Sequence, residues 1–81
     1  METRVAVIAI ILEDIEASSE VNAILHEYSD RVIGRMGIPY REKGVSIISI
    51  AVDATQDEIN TLGGRLGRIN GVTAKAVCSK N

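Results

Sequence analysis

Few groups in this sequence could do chemistry, and their spacing limits what that chemistry is. The 81 residues include one histidine, His26, and one cysteine, Cys78. A protein metal site usually takes three or four N, S or O ligands. One His and one Cys per chain make a poor set, and only a site shared between subunits could complete it. His26 reads instead as a polar residue on the exposed flank of a helix. Cys78 as a reactive thiol would need a lowered pKa. Only Lys75 and Lys80 lie near it, and no histidine is close in sequence, so it reads as a small residue ending an edge strand. Glu13, Asp14 and Glu16 cluster, and paired carboxylates can do acid–base work. A solvated loop before a helix accounts for them as well. No nucleophile–base pair is visible, so we expect a protein that is not an enzyme and carries no cofactor.

The densest motif is "LGGRLGRING", residues 62–71. A loop that cradles a phosphate lies between a strand and the start of a helix. These glycines come after a capping box and before the last strand, and no Gly-Lys-Ser/Thr follows. Gly63, Gly64 and Gly67 are therefore expected inside a helix, allowing close packing against the sheet or a neighbouring subunit. Gly71 is expected to supply a positive φ that ends the helix, and Arg65 and Arg68 to lie on its solvated face.

The elements around these residues follow from hydrophobic periodicity. "TRVAVIAIILE" (3–13) is β-branched and apolar on both alternating faces, the pattern of a central strand. In "SSEVNAILHEYSDRV" the period changes, with Val21, Ile24, Leu25, Tyr28 and Val32 on one helical stripe. Ser18 or Ser19 is the expected cap, and Glu20 suits the positive end of the helix dipole. "RVIGRMGI" (31–38) reads as a weaker strand with two Arg, two Gly and a following Pro39, suited to an edge. "PYREKG" reads as a turn. "VSIISIAVD" (45–53) is a second central strand. Thr55-Gln56-Asp57-Glu58 is a capping box that opens a helix with Ile59, Leu62, Leu66 and Ile69 on one side. Asn70-Gly71 turns the chain into a last strand, 72–79.

The order β-α-β-β-α-β, with its greasiest strands first and third, predicts an α+β ferredoxin-like sandwich. A four-stranded antiparallel sheet would carry two helices on one face. All of residues 1–81 read as one domain of this kind. The length is near the small end for independent folding. With 46% apolar residues but no Trp or Phe, the core must be Ile, Val, Leu and Ala. Small domains often gain stability by self-association. The net charge of −2, without a basic run, gives no nucleic-acid-binding motif. The apolar run 5–12 is too short to span a bilayer, and the lone cysteine suits a reducing compartment. A soluble, cytoplasmic protein is expected.

Two surfaces stand out as candidate contacts. The turn "GRMGIPYREKG" brings together Arg35, Met36, Tyr40 and Arg41 around Pro39, and Tyr and Arg are favoured interface residues. The sheet face away from the helices is expected to carry Val7, Ala9, Ile47 and Ser49, with Ile8, Ile10, Ile48 and Ile50 turned to the helices.

"VNAILHEYSDRVIGRMGIPYREKGVSIISIAVDAT" and "LGRINGVTAKAV" closely resemble the family of small regulators associated with iron-only hydrogenase systems. The most specific stretch is "HEYSDRVIGRMGIPYRE", residues 26–42. The resemblance implies a ferredoxin-like, ACT-type regulatory fold, and the family name reflects association with hydrogenase genes, with transcriptional regulation as one form that role could take. More distantly, the layout is similar to the effector domain of nickel-responsive repressors. That family places histidines in the second strand and a cysteine where the third begins. "RVIGRMGI" and "GVSIISI" hold neither, which speaks against nickel sensing. Amino-acid-binding ACT domains usually carry a glycine in the loop after the first strand, where this chain reads "EDIEAS".

The expected function is a non-enzymatic regulatory or effector-sensing domain linked to an iron-only hydrogenase system. It would act as a homo-oligomer, dimer or tetramer. The alternative is an adaptor that binds a protein partner through the 35–41 turn and takes no small-molecule ligand. With no DNA-reading motif, any effect on transcription would run through a partner.

Overall fold

The computed structural model describes residues 2–80. β1 (Arg4–Leu12), β2 (Val32–Tyr40), β3 (Val45–Ala54) and β4 (Val72–Cys78) form one antiparallel sheet. Its order is β2-β3-β1-β4, so the two greasiest strands are central. α1 (Ser18–Glu27) joins β1 to β2, and α2 (Gln56–Gly67) joins β3 to β4. This is the ferredoxin-like βαββαβ arrangement expected from the sequence.

The period-2 pattern of the central strands sorts their side chains. Ala6, Ile8, Ile10 and Leu12 of β1 are buried, as are Ile48, Ile50, Val52 and Ala54 of β3. They meet Val21, Ile24 and Leu25 of α1 and Ile59, Leu62 and Leu66 of α2 in one core. Burying each Ile or Leu is worth roughly 1.5–3 kcal/mol, which makes up for the missing large aromatics. α2 lies along β4, with α1 beside it. Neither helix covers β2, which is exposed along its length except for half-buried Val32.

Several boundaries differ from expectation. Neither Ser18 nor Ser19 caps α1. A single 3₁₀ turn, Ile15–Ala17, precedes it, capped by Asp14, whose carboxylate accepts from the Glu16 N–H at 3.0 Å. α1 grows out of that turn, and its own N-cap, Ala17, makes no side-chain hydrogen bond. α1 stops at Glu27, so Val32 opens β2 rather than continuing the helical stripe. β2 runs on through Pro39 and Tyr40 because an edge strand leaves the missing Pro N–H unneeded. The turn proper is Arg41–Lys43 with left-handed Gly44, φ 65°.

The capping box of α2 is complete. Glu58 N–H donates to the Thr55 hydroxyl at 3.2 Å, and Thr55 N–H donates to the Glu58 carboxylate at 2.9 Å. The Thr55 backbone bond holds the Glu58 carboxyl below the usual carboxylate range, helped by the Thr55 hydroxyl and Arg31. A depressed folded-state pKa means stabilisation that is present above the ordinary carboxylate pKa and lost as pH falls through the lowered one. Thr55→Ala should cost about 1 kcal/mol, read as a lower urea midpoint at unchanged slope. An unchanged midpoint would show that the cap contributes nothing.

The helix glycines do not bring α2 close to the sheet. A Cβ built on Gly63, Gly64 or Gly67 meets no atom within 4 Å. Within one protomer they are simply uncrowded. α2 ends at Gly67, and the positive φ of Gly71, 81°, lies in the turn three residues after the Arg68 C-cap. Arg65 is not on a solvated face either. Its guanidinium forks onto Glu27 of α1 at 2.9 and 3.0 Å and lies 5.9 Å from the centroid of the Tyr28 ring. That pairing lowers the Glu27 pKa and raises that of Arg65. Arg68 is exposed.

Candidate functional site

The strand register builds two surfaces, one on each side of the sheet. On the open side, Ile47 of β3 stands between Ile38 of β2 and Ile11 of β1. The next row is Met36, Ser49, Ala9 and Lys75. The row after that is Gly34, Ala51, Val7 and Val77. Val5, Val7, Ile11, Ile38 and Ile47 are all exposed, with Met36 56% and Val77 70% accessible. Lys75 is the one charge inside this field, and Asp53, opposite Val5, lies at its rim. Ile33 also stands out, 62% accessible at the β2 bulge between Val32 and Gly34. Val7, Ala9, Ile47 and Ser49 thus share the open face, and Met36 joins them there.

On the helix side, β2 presents Arg35 opposite Ile50 and Gly37 opposite Ile48. Because neither helix buries β2, a groove is left between that strand and α1. A cavity of about 420 Å³ is lined by Asn22, Leu25, His26, Ser29, Val32, Arg35 and Ile50. A second, of about 290 Å³, continues past Asn22 and Arg35 over Gly37, Ile47 and Ile48. The Arg35 guanidinium donates to the Asn22 amide oxygen at 3.1 Å, bridging strand and helix between the two cavities. Tyr40 and Arg41 line a third cavity with Ile15 and Val45 at the end of β2. The Tyr40 hydroxyl is 3.4 Å from the Glu42 carboxylate. The contacts expected at one turn are therefore split: Arg35 on the helix side, Met36 on the open side, Tyr40 and Arg41 at the end.

The 35–41 segment stood out in sequence, but that residues 35–40 are strand rather than turn, and that a groove lies behind Arg35, did not. Asn22, Leu25 and Ile50 meet there only through the fold. The one available signal was the period-2 alternation of β2, which sets Arg35 and Gly37 on the side facing α1.

The family model described as "TM1266-like: Iron-only hydrogenase system regulator, putative" matches residues 4–76. The chain belongs to this family. A solved structure agrees with the assignment: the uncharacterized protein TM1266 from Thermotoga maritima superposes with a TM-score of 0.93. It is 35% identical, over 98% of this chain and 100% of that one. Among curated proteins, no sequence matches. Within this hydrogenase-regulator family the chain shares its whole ferredoxin-like fold with TM1266.

Nothing in this member's described residues gathers a metal. No group of three or more His, Cys, Asp or Glu comes together among them. His26 is exposed on α1, and Cys78 is half-buried at the end of β4, 4.0 Å from the Gln56 amide nitrogen. Elemental analysis of the purified protein should find no stoichiometric transition metal. About one metal per chain, lost in His26→Ala, would overturn this and point to a site completed between subunits. No helix among the described residues is long and apolar enough to cross a membrane.

Proposed function

We propose that this hydrogenase-system regulator is a non-enzymatic, effector-sensing domain that works in the cytoplasm as a homo-oligomer joined through the open face of its sheet. The observation that carries the reading is that face itself. It holds Val7, Ile11, Met36, Ile38, Ile47 and Val77 exposed in adjoining rows. Soluble monomers seldom leave such a patch wet. Strands of nine residues at sheet spacing make the face about 30 Å by 19 Å. The flat projection is near the scale of the ~800 Å² that each partner contributes to a standard interface, and the corrugated accessible surface is larger. A near-neutral apolar face is also complementary to itself, as a two-fold pairing requires. The unpaired Cys78 fits a reducing compartment.

With both helices on the other side, a face-to-face assembly leaves the α1–β2 groove open to a ligand. An effect on transcription would then pass through a partner protein. Light scattering on the purified protein tests the assembly: the mass should be at least twice the 8.7 kDa chain. A monomer at working concentrations overturns it. That result would favour the adaptor reading, in which exposed Met36, Ile38 and Tyr40 of β2 meet a different protein.

A further inference from the structure

We infer that the groove between α1 and β2 binds a small carboxylate carried on an apolar body, with Arg35 as its anion-binding group. Arg35 occupies an inward position of the sheet, opposite Ile50, which is itself opposite Ile8. Ile8 and Ile50 are core residues, so an apolar side chain would be the ordinary occupant of that row. An inward-pointing charge can blunt a sheet edge against aggregation. Here, however, the guanidinium is tied back to α1 through the Asn22 amide oxygen at 3.1 Å.

An amide neutralises no charge. The described ion pairs commit Glu27 to Arg65 and Glu58 to Arg31, and none reaches Arg35. Arg35 is left as an oriented, uncompensated cation whose other N–H donors are free to fork onto a carboxylate. His26, one turn beyond Asn22 on α1, places an imidazole at the same cavity. Of the remaining lining residues Leu25, Val32 and Ile50 are apolar, and Ser29 is polar. One fixed charge above an apolar surface is complementary to an amphiphilic acid. Inorganic phosphate has no apolar body to use that surface, and an uncharged apolar molecule would leave the cation unpaired. The volume of about 420 Å³ lies at the small end for ligand sites.

The site stands whatever the ligand does. Only its description as an effector site rests on the regulatory reading above.

The test is a titration of the ¹⁵N-labelled full chain followed by amide shifts. The probes are hexanoate, hexan-1-ol as its uncharged analogue, and inorganic phosphate. Hexanoate should shift amides between residues 22 and 35 and around Ile50. The alcohol and phosphate should each bind about tenfold more weakly or worse, as expected when a charge-assisted hydrogen bond or the apolar contact is missing. Arg35→Gln should weaken hexanoate by about tenfold or more, and Arg68→Gln should leave it unchanged. Arg35 is exposed, so its replacement should not unfold the chain. Absence of hexanoate binding, equal binding of the alcohol, an unaffected Arg35→Gln variant or shifts confined to the open face would each overturn the inference. Light scattering during the titration separates the two readings. Saturation with hexanoate that leaves the assembly unchanged keeps the site and removes assembly as its output. A monomeric protein that still binds hexanoate through Arg35 keeps the site and removes the homo-oligomer.

Discussion

Ile47→Glu should convert the assembled protein into folded monomers. Ile47 lies on the open face between Ile38 and Ile11, outside the core formed with the helices. In one protomer the new carboxylate would stay in water, so the fold should survive with its circular dichroism unchanged. In a face-to-face pair it would be buried on both partners, because a two-fold interface presents the same residue twice. Each copy loses the burial of an Ile, roughly 1.5–3 kcal/mol, and adds the several kcal/mol cost of an unpaired buried charge. Even about 3 kcal/mol weakens association by about a hundredfold. Light scattering across a dilution series should show the wild type holding together where the variant does not. A folded variant that stays fully associated would move the interface to the exposed edge strands β2 and β4, or to the helices. Side-by-side pairing of ACT type would give that result.

Gly71→Ala should be among the most destabilising single changes at the surface, at about 2 kcal/mol or more. Two independent costs meet at this position. Its φ of 81° lies in the left-handed region, where a Cβ costs roughly 1–2 kcal/mol. A Cβ there would also fall 2.6 Å from Asp14 Cβ and 3.3 Å from the Asp14 backbone nitrogen. Asp14 cannot easily yield. Its side chain caps the 3₁₀ turn leading into α1, and the neighbouring Glu13 N–H donates to the Gly71 carbonyl at 2.7 Å. The clash would push apart the turns at one end of β1 and β4. For a domain of this size, about 2 kcal/mol corresponds to a melting temperature lower by roughly 8–16 °C. The double variant Asp14→Gly/Gly71→Ala should be less destabilised than the sum of its parts, since it lacks the Asp14 Cβ that the new methyl would strike. Strict additivity would show that the Asp14 Cβ contact costs nothing and leave φ and the Asp14 backbone contact as the cause, and an unchanged melting temperature for Gly71→Ala would refute both terms.

The β-α-β-β-α-β order and the centrality of β1 and β3 were legible from period and composition. A strand greasy on both faces must be covered or paired on both, and only two segments have that character. The Thr55–Glu58 cap was equally legible, because a capping box is a local contact across four residues. The burial of Ile8, Ile10, Ile48 and Ile50 also followed, since bulk had to go where the helices could cover it. Features set by distant parts of the chain were not legible. Ser18 and Ser19 were the natural caps for α1, yet a preceding turn capped by Asp14 took that role. The α2 glycines invited a close approach that the position of the sheet never demands. Arg65 looked solvated until α1 brought Glu27 and Tyr28 against it.

Arg35 shows the division most sharply. Composition marked it as a contact residue beside Met36. Strand alternation then sends the two to opposite sides of the sheet, one toward an apolar face and the other into a groove. That groove exists because the helices pack over the central strands and β4, leaving β2 bare. The sequence by itself determined which elements form, because periodicity and caps are local. Tertiary structure alone decided that Asn22, Arg35 and Ile50 share a cavity, because only packing sets which face each element presents to another.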